Sequence, residues 1–250
     1  MATVSCKARK TNGSIYYKLM NSYTTSGTHS LSISTSGSYY IELYGGGGGV
    51  AMNTYKDTYM YGRYNVSAGG SGAYFRGLVT LEAGTYSVTV GAGGTDRKGS
   101  AGSAGAGGDT TLANYVTATG GKGGTVPSSS APTTGGAGGS FLILNSDKVS
   151  GLVTIGYTGN FAQGGQPPSA ASITNYPASF GGLSIYDNSI SGYGAGAGRE
   201  TSGAGTNTTY PAVAGAFFIY GSGTSSNYTL KINTENIFCF YNQGKYYSAQ

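Results

Sequence analysis

Ser38-Tyr39-Tyr40-Ile41-Glu42-Leu43-Tyr44-Gly45-Gly46-Gly47-Gly48-Gly49 is the stretch whose reading decides the fold. A tyrosine-rich, strand-like run enters five consecutive glycines, and similar clusters recur as far as Gly223. Glycine gives up more backbone freedom on ordering than any other residue, so such a run ordinarily reads as a linker. The chain is either tethered through its middle by glycine or built from it.

Composition favours the second reading. Of the 47 glycines in 250 residues, 43 lie between Gly45 and Gly223, in short clusters separated by strands and polar segments. Disordered chains combine low hydrophobicity with high charge, whereas here 9% of residues are charged and there are 23 Tyr and 8 Phe. With 6 Pro and no strict Gly-X-Y period, a collagen triple helix is excluded. What remains is extended, three-residue-per-turn glycine segments packed side by side and hydrogen-bonded to one another. Ordering costs roughly 1–2 kcal/mol of backbone entropy per residue. Inter-segment hydrogen bonds at roughly 0.5–1.5 kcal/mol net each are the offsetting term, and aromatic rings on flanking strands are expected to cover the layer.

Leu31 and Ile33 alternate with serines as in a half-buried strand, and His29 shares their alternation, reading as a satisfied, partly buried histidine. Tyr74–Glu82, the turn Ala83-Gly84 and alternating Tyr86, Val88 and Val90 read as a hairpin. Thr110–Thr119, Phe141–Leu144, Val149–Tyr157, Tyr228–Ile232 and Ile237–Tyr241 each read as a strand. Val50–Ser67, about Thr158–Phe180 and Arg199–Tyr210 read as irregular loops. No segment has amphipathic helical periodicity. The expected fold is all-β and irregular: packed polyglycine-II-type helices with β-hairpins, short antiparallel strands and almost no α-helix. The expected divisions are residues 1–36 (lead-in and docking), 37–223 (glycine-rich domain) and 224–250 (β segment).

Several function classes find no support. The net charge of +5 is scattered, with only Lys7, Arg9, Lys10 and Lys18 grouped, so no nucleic-acid footprint is expected. No apolar stretch approaches about 18 residues, so no membrane insertion is expected. The first 20 residues lack an apolar signal-peptide core. Cys6 and Cys239 have no metal-site spacing and read as reduced thiols. One histidine gives a Ser-His-Asp arrangement little basis, and the nine carboxylates read as solvated. Gly192–Gly198 and Gly105–Gly108 open no helix in a βαβ unit, and Lys122 is followed by glycine, so no nucleotide motif is present. Neither enzyme activity nor a cofactor is expected.

Recognition is expected in the three polar segments, where tyrosine supplies rigid contact area and amides adapt their hydrogen bonding. The candidate binding residues are Tyr55, Tyr59, Tyr61, Arg63 and Tyr64 in the first, Asn160, Phe161, Gln163 and Tyr176 in the second, and Tyr210 closing the third. The same rings could instead cap the glycine layer or pack on a neighbouring subunit.

The succession Gly37-Ser-Tyr-Tyr-Ile-Glu-Leu-Tyr44, Gly45–Gly49, then Gly72-Ala-Tyr-Phe-Arg-Gly-Leu-Val-Thr-Leu-Glu-Ala-Gly-Thr-Tyr-Ser-Val-Thr-Val-Gly-Ala-Gly-Gly94 resembles the glycine-rich domain of bacteriophage tail-fibre and other virion proteins. Thr117-Ala-Thr-Gly-Gly-Lys-Gly-Gly124 and Gly215-Ala-Phe-Phe-Ile-Tyr220 extend the likeness over about residues 37–221. The resemblance implies a polyglycine-helix scaffold presenting loops to a bacterial surface receptor, either a glycan or an outer-surface protein. The glycine-rich extracellular region of anaplastic lymphoma kinase looks architecturally similar. The expected protein is a non-enzymatic virion component assembled in the host cytoplasm. Its terminal segments would bind other virion proteins, and a homo-oligomer, a trimer, is among the expected assemblies. A structural head-fibre, decoration or tail cement protein is the alternative.

Overall fold

The computed structural model describes residues 15–56, 62–99, 101–126, 135–154, 161–165, 182, 184, 191–201, 207–222, 230–232, 239–242 and 245–248. Among them there is no α-helix, and the fold is all-β with antiparallel sheets joined by irregular glycine segments, as the sequence predicts.

Two sheets face each other, with strands numbered in chain order. One runs β14 (Val149–Thr154), β6 (Tyr74–Leu81), β3 (Gly37–Tyr44), β18 (Ala216–Ser222), β1 (Ile15–Tyr23), β19 (Leu230–Ile232). The other runs β13 (Phe141–Ile143), β11 (Val116–Ala118), β10 (Thr110–Leu112), β7 (Gly84–Val90), β2 (Gly27–Ile33). A third sheet is ordered β15 (Phe161–Gly165), β5 (Gly62–Ser67), β4 (Ala51–Lys56), β8 (Arg97–Lys98), with β4 and β8 parallel. Three strand pairs complete the set: β9 (Gly102–Ser103) with β12 (Thr125–Val126), β16 (Gly198–Thr201) with β17 (Asn207–Tyr210), and β20 (Cys239–Asn242) with β21 (Lys245–Ser248).

Two-residue alternation builds the sandwich core. Leu31, Ile33, Val88, Val90, Leu112 and Val116 pack against Ile41, Leu43, Phe75, Val79, Leu81, Phe217 and Ile219, all buried. His29 is half-buried at the margin: its Nε2 donates to the Thr25 carbonyl at 2.7 Å and its ring stacks on Tyr23, centroids 4.6 Å apart.

The glycine segments leave one end of this sandwich. The chain runs outward from β3 through 45–49 into β4 and returns from β5 through 68–73 into β6. Segments 91–96, 119–124 and 194–197 also run outward, and 104–109, 135–140 and 211–215 run back. Gly45–Gly49 is the centre. The N–H groups of Gly45 and Gly48 donate to Ala73 and Gly70, those of Gly46 and Gly49 to Gly108 and Gly105, and that of Gly47 to Val213, all at 2.8–2.9 Å. The carbonyls of Gly46 and Gly49 accept from Gly121 and Gly124, that of Gly47 from Gly94, and that of Gly48 from Ala197. Successive residues therefore address different neighbours and return to the same one every third position, the period of a polyglycine II helix. The central segment donates to three antiparallel neighbours and accepts from three parallel ones.

This packing dictates where glycine is obligatory. A Cβ added at Gly45, Gly46, Gly47, Gly48 or Gly49 would fall 2.2, 2.2, 1.8, 2.1 or 2.2 Å from a carbonyl oxygen of a neighbouring segment. Enclosed on all sides, the central segment admits no side chain. Outer segments face solvent once per turn, and there side chains return: Ala92 and Thr95, Ala106 and Asp109, Lys122 and Thr125, Ala137 and Ser140 are exposed, each pair spaced by two glycines. The three-residue period missing over the whole chain is thus present within these four segments, whereas 68–73 and 194–197 are buried throughout.

Five expectations are corrected, the first being that about Thr158–Phe180 is irregular, since Phe161–Gly165 forms β15 in register with β5. β6 and β7 do not pair as a hairpin: β6 lies in the six-stranded sheet and β7 in the five-stranded one, so the chain crosses between them. Crossing lets both strands turn an apolar row to the same core, which a hairpin within one sheet would also do locally, so strand alternation alone cannot separate the two. Thr110–Thr119 is not one strand but the hairpin β10–β11, turned at Asn114 with φ 65°, a conformation asparagine tolerates. Val50–Ser67 is not irregular, since β4 and β5 form a register-matched ladder from Ala51↔Ser67 to Lys56↔Gly62. Its alternation is hidden because both faces are covered: Met52 and Val66 pack with Val50 and Ala197, and Ala51 with Ala104 and Val126. Arg199–Tyr210 likewise contains the arms of a hairpin, without an apolar alternation to betray them.

Candidate functional site

At the far end of the glycine layer, away from the sandwich, β4, β5, β8, β9, β12, β15, β16 and β17 carry the polar segments. In the third sheet, register sets Tyr55 opposite Arg63, and Arg63 opposite Gly165. The neighbouring row of the same alternation is Asn53, Asn65 and Gln163, and the next is Ala51, Ser67 and Phe161. Tyr64, between Thr54 and Gly164, belongs to the opposite alternation. The fold thus gathers Tyr55, Arg63, Phe161 and Gln163, from two stretches about 100 residues apart in sequence, on neighbouring strands. Tyr210 is separate. It ends β17 opposite Gly198, half-buried beside the glycine layer. Tyr59, Tyr61, Asn160 and Tyr176 lie outside the described residues, as do Cys6 and therefore any pairing with Cys239.

Residues absent from the sequence-based set also belong here. Asn53 and Asn65 are buried at the root of the β4–β5 ladder. Arg97 and Lys98 are exposed on β8, in parallel register with Ala51 and Met52. The Arg97 Nε donates to the Ala101 carbonyl at 3.1 Å, which holds the side chain across the tight turn before β9. No sequence signal ties β8 to β4, because their pairing follows from the glycine segments that precede both strands.

A second polar cluster sits on the outer face of the six-stranded sheet. The alternation Tyr40, Glu42, Tyr44 in β3 places Glu42 opposite Arg76 on one side and Phe218 on the other. Tyr74 donates its hydroxyl to Glu42 Oε1 at 2.8 Å and Tyr220 to Oε2 at 3.1 Å. The Tyr44 and Tyr74 rings stack at 4.5 Å, with Tyr193 and Phe218 completing the aromatic cover. Burial raises the Glu42 carboxyl above the usual range, against the opposing pull of the two hydroxyls and Arg76. Burial and the Glu42 charge together push Tyr44 and Tyr74 well above the ordinary tyrosine range. Glu42 ties three strands together where the chain enters Gly45.

The other described carboxylates are largely engaged in holding the scaffold. Asp96 Oδ1 accepts from the Val50 N–H at 3.1 Å and Asp109 Oδ1 from the Gly120 N–H at 3.0 Å, each closing a glycine segment. Glu82 meets Lys148 at 3.8 Å on the exposed sandwich end. Among the described residues, no three His, Cys, Asp or Glu side chains come together as metal ligands.

Residues 24–236 match the family described as a glycine-rich domain. No curated protein matches the sequence. The match spans the central Gly45–Gly49 segment, all the glycine segments hydrogen-bonded around it and most strands of the sandwich. The chain belongs to the glycine-rich domain family.

Proposed function

We propose that this protein is a non-enzymatic bacteriophage virion component of tail-fibre or adhesin type, whose glycine layer displays polar segments that attach the particle to a bacterial surface. The observation that carries the reading is the polarity of the molecule. A hydrogen-bonded bundle with no side chains at its centre projects strands from one end, while a sandwich closes the other. Such a bundle fixes the roots of the projecting segments, so their residues can vary without disturbing the support. Assembly in the host cytoplasm, attachment through the terminal segments and a homotrimeric state belong to the same proposal.

A second reading has its own support. Leu19, Met20, Phe141, Leu142 and Leu144 are exposed on the sandwich, with Leu142 at 54%. The three at β13 lie on the opposite edge of the sandwich from Leu19 and Met20 on β1, and they favour a docking edge for other virion subunits, as in a head-fibre, decoration or tail cement protein. Labelled full-length protein offered to a panel of bacteria separates the two. Attachment reading: the protein binds cells of at least one strain, and Tyr59→Ala or Tyr61→Ala weakens binding without changing particle assembly. Absence of binding to any strain, with the same variants impairing only assembly, would overturn it in favour of the docking role.

A further inference from the structure

The fold collects basic residues that are dispersed in the sequence. β8, β4 and β5 are adjacent, and they carry Arg97, Lys98, Lys56 and Arg63. No Asp or Glu occurs in any strand of the four-stranded sheet. The two acids next to these strands are Asp57, outside the described residues, and Asp96, engaged by the Val50 N–H. Among the described residues no carboxylate pairs with Arg97 or Lys98, both exposed.

Register gives the layout. Arg97 is level with Ala51 and Arg63 with Tyr55, four residues further along the sheet. That is about 13 Å along the strands and about 10 Å across two strand spacings. The separation suits successive charges on a polymer better than a single small anion. Arginine's planar fork pairs with carboxylate or phosphate. Tyr55 and Gln163, in the same rows or the next, are residue types that stack on sugar rings and read hydroxyls.

We propose that the β8–β4–β5 end binds an anionic bacterial envelope polysaccharide, one with repeating carboxylate or phosphate groups. This rests on the attachment reading above and names its ligand class. A nucleic acid is the less favoured polyanion: the charge is modest, four residues spread over three strands, not the continuous basic stripe that tracks a phosphate backbone.

The test measures full-length protein against immobilised polygalacturonate, purified teichoic acid, neutral dextran and duplex DNA, at low and high salt. Binding to polygalacturonate or teichoic acid but not dextran is expected, weakening with salt. The double variant Arg97→Ala/Lys98→Ala is expected to lose about tenfold in affinity at an unchanged melting temperature. Arg97→Lys/Lys98→Arg, which keeps the charge, is expected to recover most of it. Equal binding to dextran, tighter binding to DNA, no binding to either acidic polymer, or an undiminished double variant would each overturn the inference. Attachment to whole bacteria provides the separating arm. Cell binding that survives both high salt and the double variant overturns the charged-ligand inference and leaves attachment standing, whereas loss of all cell binding by the wild type overturns attachment itself.

Discussion

Gly47 shows what a single hydrogen atom in place of a side chain accomplishes here. A Cβ at this position would lie 1.8 Å from the Ala195 carbonyl oxygen, so a substitution must force two backbones apart. Gly47→Val is expected to lower stability by more than about 3 kcal/mol, in the range of severe core overpacking. Ala106→Val, at a solvent-facing position of an outer segment, is expected to change it by less than about 0.5 kcal/mol. Thermal melts of the two variants check this, and similar melting temperatures would contradict the packing. Glu42 makes the second residue-scale prediction. Its carboxyl is raised in the folded state, so the folded protein holds that proton more tightly than the unfolded chain. The contribution to stability is present below the ordinary glutamate range and is lost as pH rises through the raised value. Relative to Glu42→Gln, the wild type is therefore expected to lose melting temperature as pH rises above the ordinary glutamate range. Parallel pH profiles would contradict it. Both residues were legible in the sequence to different degrees. Five adjacent glycines announced a place without side chains, whereas Glu42 looked like one more exposed acid, although its alternation with Tyr40 and Tyr44 already placed it among aromatic rings.

Strands were easiest to read where one face meets the core and the other meets water. β2 and β7 satisfy that condition, and their apolar alternation predicted both their positions and their buried residues. β4 and β5 do not, because both faces are covered at their roots, and the period vanished with the asymmetry that generates it. Pairing was harder still: β6 and β7 follow each other closely in sequence, yet each pairs with a strand that precedes it. The Tyr55–Arg63–Gln163 neighbourhood was visible as composition, but its geometry depends on β15 pairing with β5 across the intervening glycine segments. β2 also presents a problem of its own, an uncharged, proline-free edge seven residues long. Tyr23 covers it, donating its hydroxyl to the Ser30 carbonyl at 2.9 Å while its ring stacks on His29 and on Phe217. Tyr23→Ala is expected to expose this edge and produce concentration-dependent association in light scattering, with Tyr23→Phe closer to wild type. A variant that scatters as the wild type does at every concentration would show that the edge is protected by other means.

Over the whole molecule, backbone hydrogen bonding replaces side-chain packing as the means of joining two ends. The sandwich has an ordinary apolar core, and the polar end has small satellite clusters. Between them lies a layer whose centre is made of N–H and C=O groups alone. Such a layer transmits position without needing shape complementarity between side chains, which suits a support for variable ends. The central claim is that Gly45–Gly49 is the fully bonded core of this layer and not a tether. Residue-resolved amide hydrogen exchange tests it directly, because each of the five N–H groups has a partner in another segment. All five are expected to exchange as slowly as Ile41 and Leu43 in β3, opening only with global unfolding. Exchange of Gly45–Gly49 at the rate of an unstructured peptide, while β3 stays protected, would contradict the account.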